Sequence, residues 1–182
     1  TTLFNGETSD AQALTTTAGN LEASFTFYNG QIDNAYNTVD IDGTDLQSSG
    51  DGKVEVVFID ARGKIAQTNI TVDDDGTFDS DVDIGSGQDV TVQNGPDAAL
   101  SDGTVEVHVI SAGRDGFFAD TSATELGGLA DISGDQSQVR AQILDATVDA
   151  SGSDDQIVSA TFRLADPRVA ITDLPAEVAQ GD

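Results

Sequence analysis

The sequence predicts an all-β sandwich with one short helix. About eight short segments alternate apolar and polar residues with a period of two, and Gly, Asn, Asp and Pro turn signals separate them at roughly even spacing. A single stretch shows helical spacing instead, whereas a parallel α/β fold would need a helix between most strands.

The first 19 residues are polar and Thr-rich, without sustained periodicity, and are expected to be a linker or the end of a preceding module. From Leu21 the pattern changes: Leu21, Ala23, Phe25 and Phe27 alternate with Glu22, Ser24 and Thr26, a half-buried strand that ends at Asn29-Gly30. Val39 and Ile41 form a short strand expected to close at Gly43. Val54 to Ile59 is nearly continuously apolar, which suits a central strand buried on both faces. In the next segment Ala66, Thr68, Ile70 and Val72 share one face, and Gln67, Asn69 and Thr71 the other. After Asp73-Asp74-Asp75-Gly76, Phe78, Ser80, Val82 and Ile84 point inward, and Asp79, Asp81 and Asp83 point to solvent. Val90 and Val92 mark a further short strand. Val105, Val107 and Val109 then alternate with Glu106 and His108, a strand fenced by Pro96 and Gly103.

The helix is expected over 136–149. Asp135 and Gln138 offer a capping box, Val139, Ile143 and Ala146 recur at helical spacing, and Gly152 is the stop. Val158, Ala160, Phe162 and Leu164 alternate once more, Val169 and Ile171 extend the run past Asp166-Pro167, and Leu174-Pro175 opens an exit linker over 175–182. One module over 20–174 follows from this division.

Charge narrows the setting. Asp and Glu number 33 against seven Lys and Arg, a formal net charge of −26. In dilute buffer a core of this size cannot hold so much like charge without strong self-repulsion. At a few molar salt the Debye length falls below about 3 Å, from about 10 Å at about 0.1 M, so the balance points to a halophile. Disorder is the competing explanation for high charge, but Leu, Ile, Val and Phe make up about a quarter of the chain, above the range where a packed core is unattainable. The chain has no Cys, so neither a disulfide nor a zinc site can be built from it. The scattered basic residues argue against nucleic acid and anionic lipid as partners, and no 18-residue apolar stretch could insert into a membrane. Having no Met, the chain is expected to be a processed product or an internal piece.

Several blocks occur together and in order: NLEASFTFYNGQ, FIDARGK, VDDDGTFDSDVDI, VISAGRDG and QVRAQILDATVDASGSDDQIVSATFRLAD. Over about residues 20 to 173 they resemble an immunoglobulin-like module toward the C-terminal part of haloarchaeal surface-layer (S-layer) glycoproteins. The resemblance implies an extracellular, glycosylated protein of tandem immunoglobulin-like β-sandwiches. It further implies bound divalent cations, Ca²⁺ or Mg²⁺, and assembly with neighbouring modules and copies into a two-dimensional lattice at the cell surface. The chain lacks the signal, the Thr-rich stalk and the hydrophobic anchor, so by this resemblance it is an internal piece or a shorter relative. Two other classes compete with a lattice module: an adhesin or pilus-like binding module, and an accessory domain of an extracellular hydrolase.

Candidate sites are few. Asn69-Ile70-Thr71 is the one N-x-[ST] sequon, and strand parity turns Asn69 outward, where a glycan need not cross the core. Thr15 to Thr17 are candidates for O-glycans. Asp73, Asp74 and Asp75 before Gly76, with Asp79 beyond, supply oxygen ligands and a tight turn suited to Ca²⁺, though not an EF-hand loop. Asp79, Asp81 and Asp83, about 6–7 Å apart along a strand, are better read as a solvated acidic face. Asp154-Asp155 forms a second acidic corner. The single His, His108, is expected on the strand surface beside Glu106, and no catalytic constellation stands out, so no enzymatic activity is expected. Arg114 is expected to tie its turn to nearby carboxylates.

Overall fold

Among the described residues, mostly alternating apolar residues build nine strands, and one capped segment forms the helix. The computed structural model describes residues 12–29, 37–47, 52–84, 89–93, 100–118, 126–127 and 129–164. The strands are β1 (Gln12–Ala18), β2 (Leu21–Asn29), β3 (Asn37–Asp45), β4 (Lys53–Ile59), β5 (Ile65–Thr71), β6 (Thr77–Asp83), β7 (Thr91–Gln93), β8 (Gly103–Ser111) and β9 (Gln156–Leu164). A short 3-10 turn at Leu129–Asp131 precedes helix α1 (Gln136–Asp145). The strands form two antiparallel sheets, ordered β1-β2-β3-β6 and β7-β5-β4-β8-β9.

The inward rows of both sheets meet in one core. Val54, Val56, Phe58, Val105, Val107, Val109, Phe162 and Leu164 all lie in it, together with Leu21, Phe25, Phe27 and Phe78 from the facing sheet. Phe27 stacks on Phe162 at 4.3 Å between ring centroids, and Phe58 meets Phe162 edge-on at 6.4 Å, so three rings join the sheets at one end. At the other end the Ser111 hydroxyl donates to Asp45 Oδ2 at 2.5 Å, and the Gln156 side-chain oxygen accepts from the backbone N–H groups of Asn20 and Leu21 at 2.9 and 3.1 Å. Each contact links one sheet to the other, and the Ser111–Asp45 bond is fully buried.

A third layer covers the outer face of the larger sheet. Val57, Ile59, Ile65 and Ile110 pack there against Phe118, Leu126, Leu129, Val139 and Ile143. This is why β4 and β8 are buried on both faces. Asp135 caps α1 through a complete capping box, as its sequence indicates. The Gln136 side chain donates to the carbonyls of Ile59 and Thr104 and pins the first turn to the sheet. The preceding Gly134 carbonyl lies where a Cβ on Gly63 would come to 2.1 Å, and Gly63 has φ +81°, so only glycine fits that turn.

Four sequence expectations are corrected. The Thr-rich segment is not linker throughout: Gln12–Ala18 pair with β2 as an edge strand, held by ladder bonds and β-branched side chains rather than by an apolar row. Gly43 does not close β3 but lies inside it, where a Cβ would meet the Glu22 carbonyl and the Phe78 ring. The helix stops at Asp145, four residues earlier than expected, and Thr147, beyond its end, continues the buried row of Val139 and Ile143 while Ala146 faces solvent. Gly152 belongs to the following turn. Residues 1–11, the extension through Val169 and Ile171, and the exit linker over 175–182 lie outside the described residues.

Candidate functional site

The β3–β6 register builds a strongly acidic surface. Asp40 lies opposite Asp81 and Asp42 opposite Asp79, with Thr38 opposite Asp83, all on the outward row of the smaller sheet. Directly opposed residues in an antiparallel pair have Cβ atoms about 5 Å apart, so these carboxylates repel across the strands as well as along them. Asp40 carries the signature: partial burial, then the charges of Asp81, Asp42 and Asp79, raise its carboxyl above the ordinary carboxylate range. The sequence placed Asp79, Asp81 and Asp83 on an acidic face. It did not show that Asp40 and Asp42 complete a two-strand ladder, because strand pairing is not written in either strand alone.

The Asp73–Gly76 turn is the crossover from the larger sheet to the smaller one. The Asp73 N–H donates to the Thr77 carbonyl at 2.8 Å and the Gly76 N–H to the Asp73 carbonyl at 2.9 Å, and Gly76 has φ +83°. Asp75 Oδ1 accepts from both the N–H and the hydroxyl of Thr77, at 3.0 and 2.6 Å, which holds its carboxyl below the usual range. Asp79 points instead into the ladder, opposite Asp42. Among the described residues no three acidic or imidazole side chains stand together in a geometry able to enclose a metal ion. Asn69 is exposed near the end of β5, on the row opposite the sandwich core.

His108 departs from its expected place. The strand-surface reading failed because α1 roofs that face, and His108 is only 3% exposed. Its Nδ1 lies 2.7 Å from the Ser159 hydroxyl and its Nε2 3.3 Å from Glu106 Oε2, while Arg140 of α1 donates to Glu106 Oε1 at 3.0 Å. Burial lowers the proton affinity of His108, and Glu106 partly offsets this. The hydroxyl, imidazole and carboxylate are ordered like a proton relay, but Ser159 sits in the β8–β9 ladder opposite His108 and Glu106 is engaged by Arg140. The arrangement therefore fastens α1 to the sheet. Arg114 behaves as expected: its Nε lies 3.6 Å from Asp154 Oδ2, which also accepts the Arg114 backbone N–H at 3.0 Å.

Two further acids organise loops. Asp60, fully buried, accepts from the N–H groups of Arg62, Lys64 and Ser101, each at 2.8 Å. Glu55, 1% exposed, accepts from the Gln67 amide at 3.0 Å.

No family model matches the chain. Among known proteins it is 38% identical over 174 residues to the cell surface glycoprotein of Haloarcula japonica, covering 91% of this chain and 18% of that protein. It is 36% identical over 171 residues to the cell surface glycoprotein of Halobacterium salinarum, covering 90% of this chain and 18% of the relative. A third relative, the cell surface glycoprotein of Haloarcula marismortui, is 39% identical over 148 residues, 76% of this chain and 15% of that protein. The chain thus spans less than a fifth of the length of these relatives, and no described helix is long and apolar enough to cross a membrane. Its acidity, its two-sheet fold and these matches agree: the chain is a homologue of one segment of the haloarchaeal cell surface glycoproteins.

Proposed function

We propose that the chain is an immunoglobulin-like, non-catalytic structural module of a haloarchaeal S-layer glycoprotein, held at the outer cell surface and contributing to its two-dimensional lattice. The module would include Gln12–Ala18, since β1 belongs to the smaller sheet. The observation that carries the reading is the acidic ladder of Asp40, Asp42, Asp79, Asp81 and Asp83 on the outward face of the smaller sheet, which no other layer covers among the described residues. A face of directly opposed carboxylates is costly in dilute solution and is relieved by cations. Ca²⁺ takes six to eight oxygen ligands, so carboxylates from two adjacent copies, or from adjacent modules, would complete a shell that one face cannot. The Asp73 to Asp75 turn is a second place for such a bridge, and Asn69 a place for an outward glycan.

The test is assembly of the full surface glycoprotein in molar salt, with and without Ca²⁺, followed by electron microscopy. Ordered sheets that require Ca²⁺ and weaken in an Asp40→Asn/Asp81→Asn variant are expected. A protein that stays dispersed with Ca²⁺ yet binds a partner cell or glycan would favour the adhesin class instead. Saturable Ca²⁺ binding that survives Asp75→Asn unchanged would remove the turn from the proposal. Mass spectrometry of envelope peptides spanning Asn69 is expected to show a modified form, and an unmodified peptide alone would remove the glycan.

A further inference from the structure

Each sheet of a sandwich leaves two edges, and proteins guard them with charge, brevity or cover. Among the described residues, three of the four edge strands are guarded in that way. β6 carries Asp79, Asp81 and Asp83, β7 is three residues long, and β9 presents exposed Arg163. β1 is the exception. It is seven residues long, and from Ala11 to Leu21 the sequence contains no charged residue, in a chain whose net charge is −26. Thr15, Thr16 and Thr17 favour extended backbone. Leu14, on the row that pairs with core residue Phe25, is nevertheless 47% exposed, and Thr15 and Thr17 are exposed on the outward row. Among the described residues no strand pairs with the outer edge of β1.

We propose that the β1 edge is a strand-addition interface and that its occupant is β1 of a second copy of this chain, running antiparallel. Charge selects the occupant. Two copies approaching through most other faces bring carboxylates against carboxylates, whereas approach through β1 sets two uncharged strips together. An antiparallel pair of identical strands is isologous, so the contact closes at two copies and does not propagate. It joins the four-stranded sheets of both copies into one of eight strands and places threonines opposite one another, where their hydroxyls can bond. The edge lies at the opposite side of the smaller sheet from the β3–β6 ladder, so one copy can use β1 for one neighbour and its acidic face for another. The inference rests on fold and charge distribution and does not require the lattice reading.

The chain has no Cys, which permits a clean trapping experiment. Single variants Thr15→Cys on β1 and Asp81→Cys on β6 are oxidised in about 3 M KCl, where screening removes the general repulsion. Thr15→Cys is expected to form covalent dimers at least about tenfold faster, because only that edge is brought to its own copy. Sedimentation velocity of the unaltered chain should show a concentration-dependent dimer. Thr17→Lys, whose charge can pair with Glu22 opposite it within the chain, should weaken that dimer by about tenfold without lowering the melting temperature. Leu14→Lys is the second variant should Thr17→Lys fold poorly. Equal trapping at both positions, a monomer at every concentration, or dimerisation undiminished in the Lys variants would overturn the proposal, as would a segment of the same chain covering the edge.

Discussion

Neutralising one strand of the acidic ladder should stabilise the fold in dilute salt and do almost nothing in strong salt. In Asp40→Asn/Asp42→Asn, the direct repulsions with Asp81 and Asp79 vanish, as do the diagonal ones to Asp79, Asp81 and Asp83. At about 5 Å two unit charges in bulk water repel by about 0.8 kcal/mol, and at the diagonal distance of about 7–8 Å by roughly 0.5 kcal/mol. A Debye length of about 10 Å at 0.1 M leaves rather more than half of the direct repulsion, and one of about 3 Å at 1 M leaves about a fifth. The gain is then about 2 kcal/mol near 0.1 M and about 0.4 kcal/mol near 1 M. For a chain of this size that corresponds to roughly 4–8 °C in melting temperature at low salt and about 1 °C at high salt. The assay is circular dichroism melting across a KCl series, starting at the lowest salt where the parent unfolds cooperatively. A gain that is the same at every salt concentration would refute the reasoning, since strand propensity or packing would then be responsible. No gain at low salt would show that the ladder is already neutralised.

Two further predictions follow from the core and from the relay beneath the helix. Val107 is fully buried in the inter-sheet core, so Val107→Asp should abolish cooperative unfolding in molar salt, because an unpaired buried charge costs several kcal/mol against a total stability of about 5–15 kcal/mol; a far-ultraviolet spectrum and melt like the parent's would contradict the core assignment. The folded-state proton affinity of His108 is depressed below its ordinary value of 6.5, so its stability contribution is complete above that pH and is lost as pH falls, when the unfolded chain takes up a proton that the fold resists. NMR titration of the single imidazole should give a midpoint below 6.5, and His108→Gln should flatten the decline in melting temperature just below that pH; a midpoint above 6.5 would reverse the sign.

Local pattern was enough to locate most of the strands. The period-two rows of β2, β5, β6, β8 and β9 are written in single residues, and the doubly buried β4 in an unbroken apolar run. The capping box at Asp135 is equally local, and it forms as read. β1 was not legible, because an edge strand stabilised from one side needs no apolar row; its Thr triplet carries propensity without periodicity. Gly43 shows the same limit in reverse. A glycine after an apolar pair signals a turn, yet here it is required inside the strand by the Phe78 ring and the Glu22 backbone, both brought there by pairing.

The sites follow the same division between what a strand contains and what lies against it. Outward carboxylates were legible one strand at a time, but the repulsion that matters lies between strands, and only the Asp40–Asp81 and Asp42–Asp79 register creates it. His108 alternates with core valines, so parity placed it outside the sandwich correctly and outside the molecule wrongly. Burial on the second face depended on α1, which lies about thirty residues further along the chain and packs there through Val139 and Ile143. One signal was available. A helix carrying an apolar stripe must cover an apolar surface, and Val57, Ile59 and Ile110 were the unclaimed outward apolar residues on β4 and β8. Matching that stripe to those residues would have buried Glu106 and His108 together, and Arg140 on the same helix is the charge that such a burial demands.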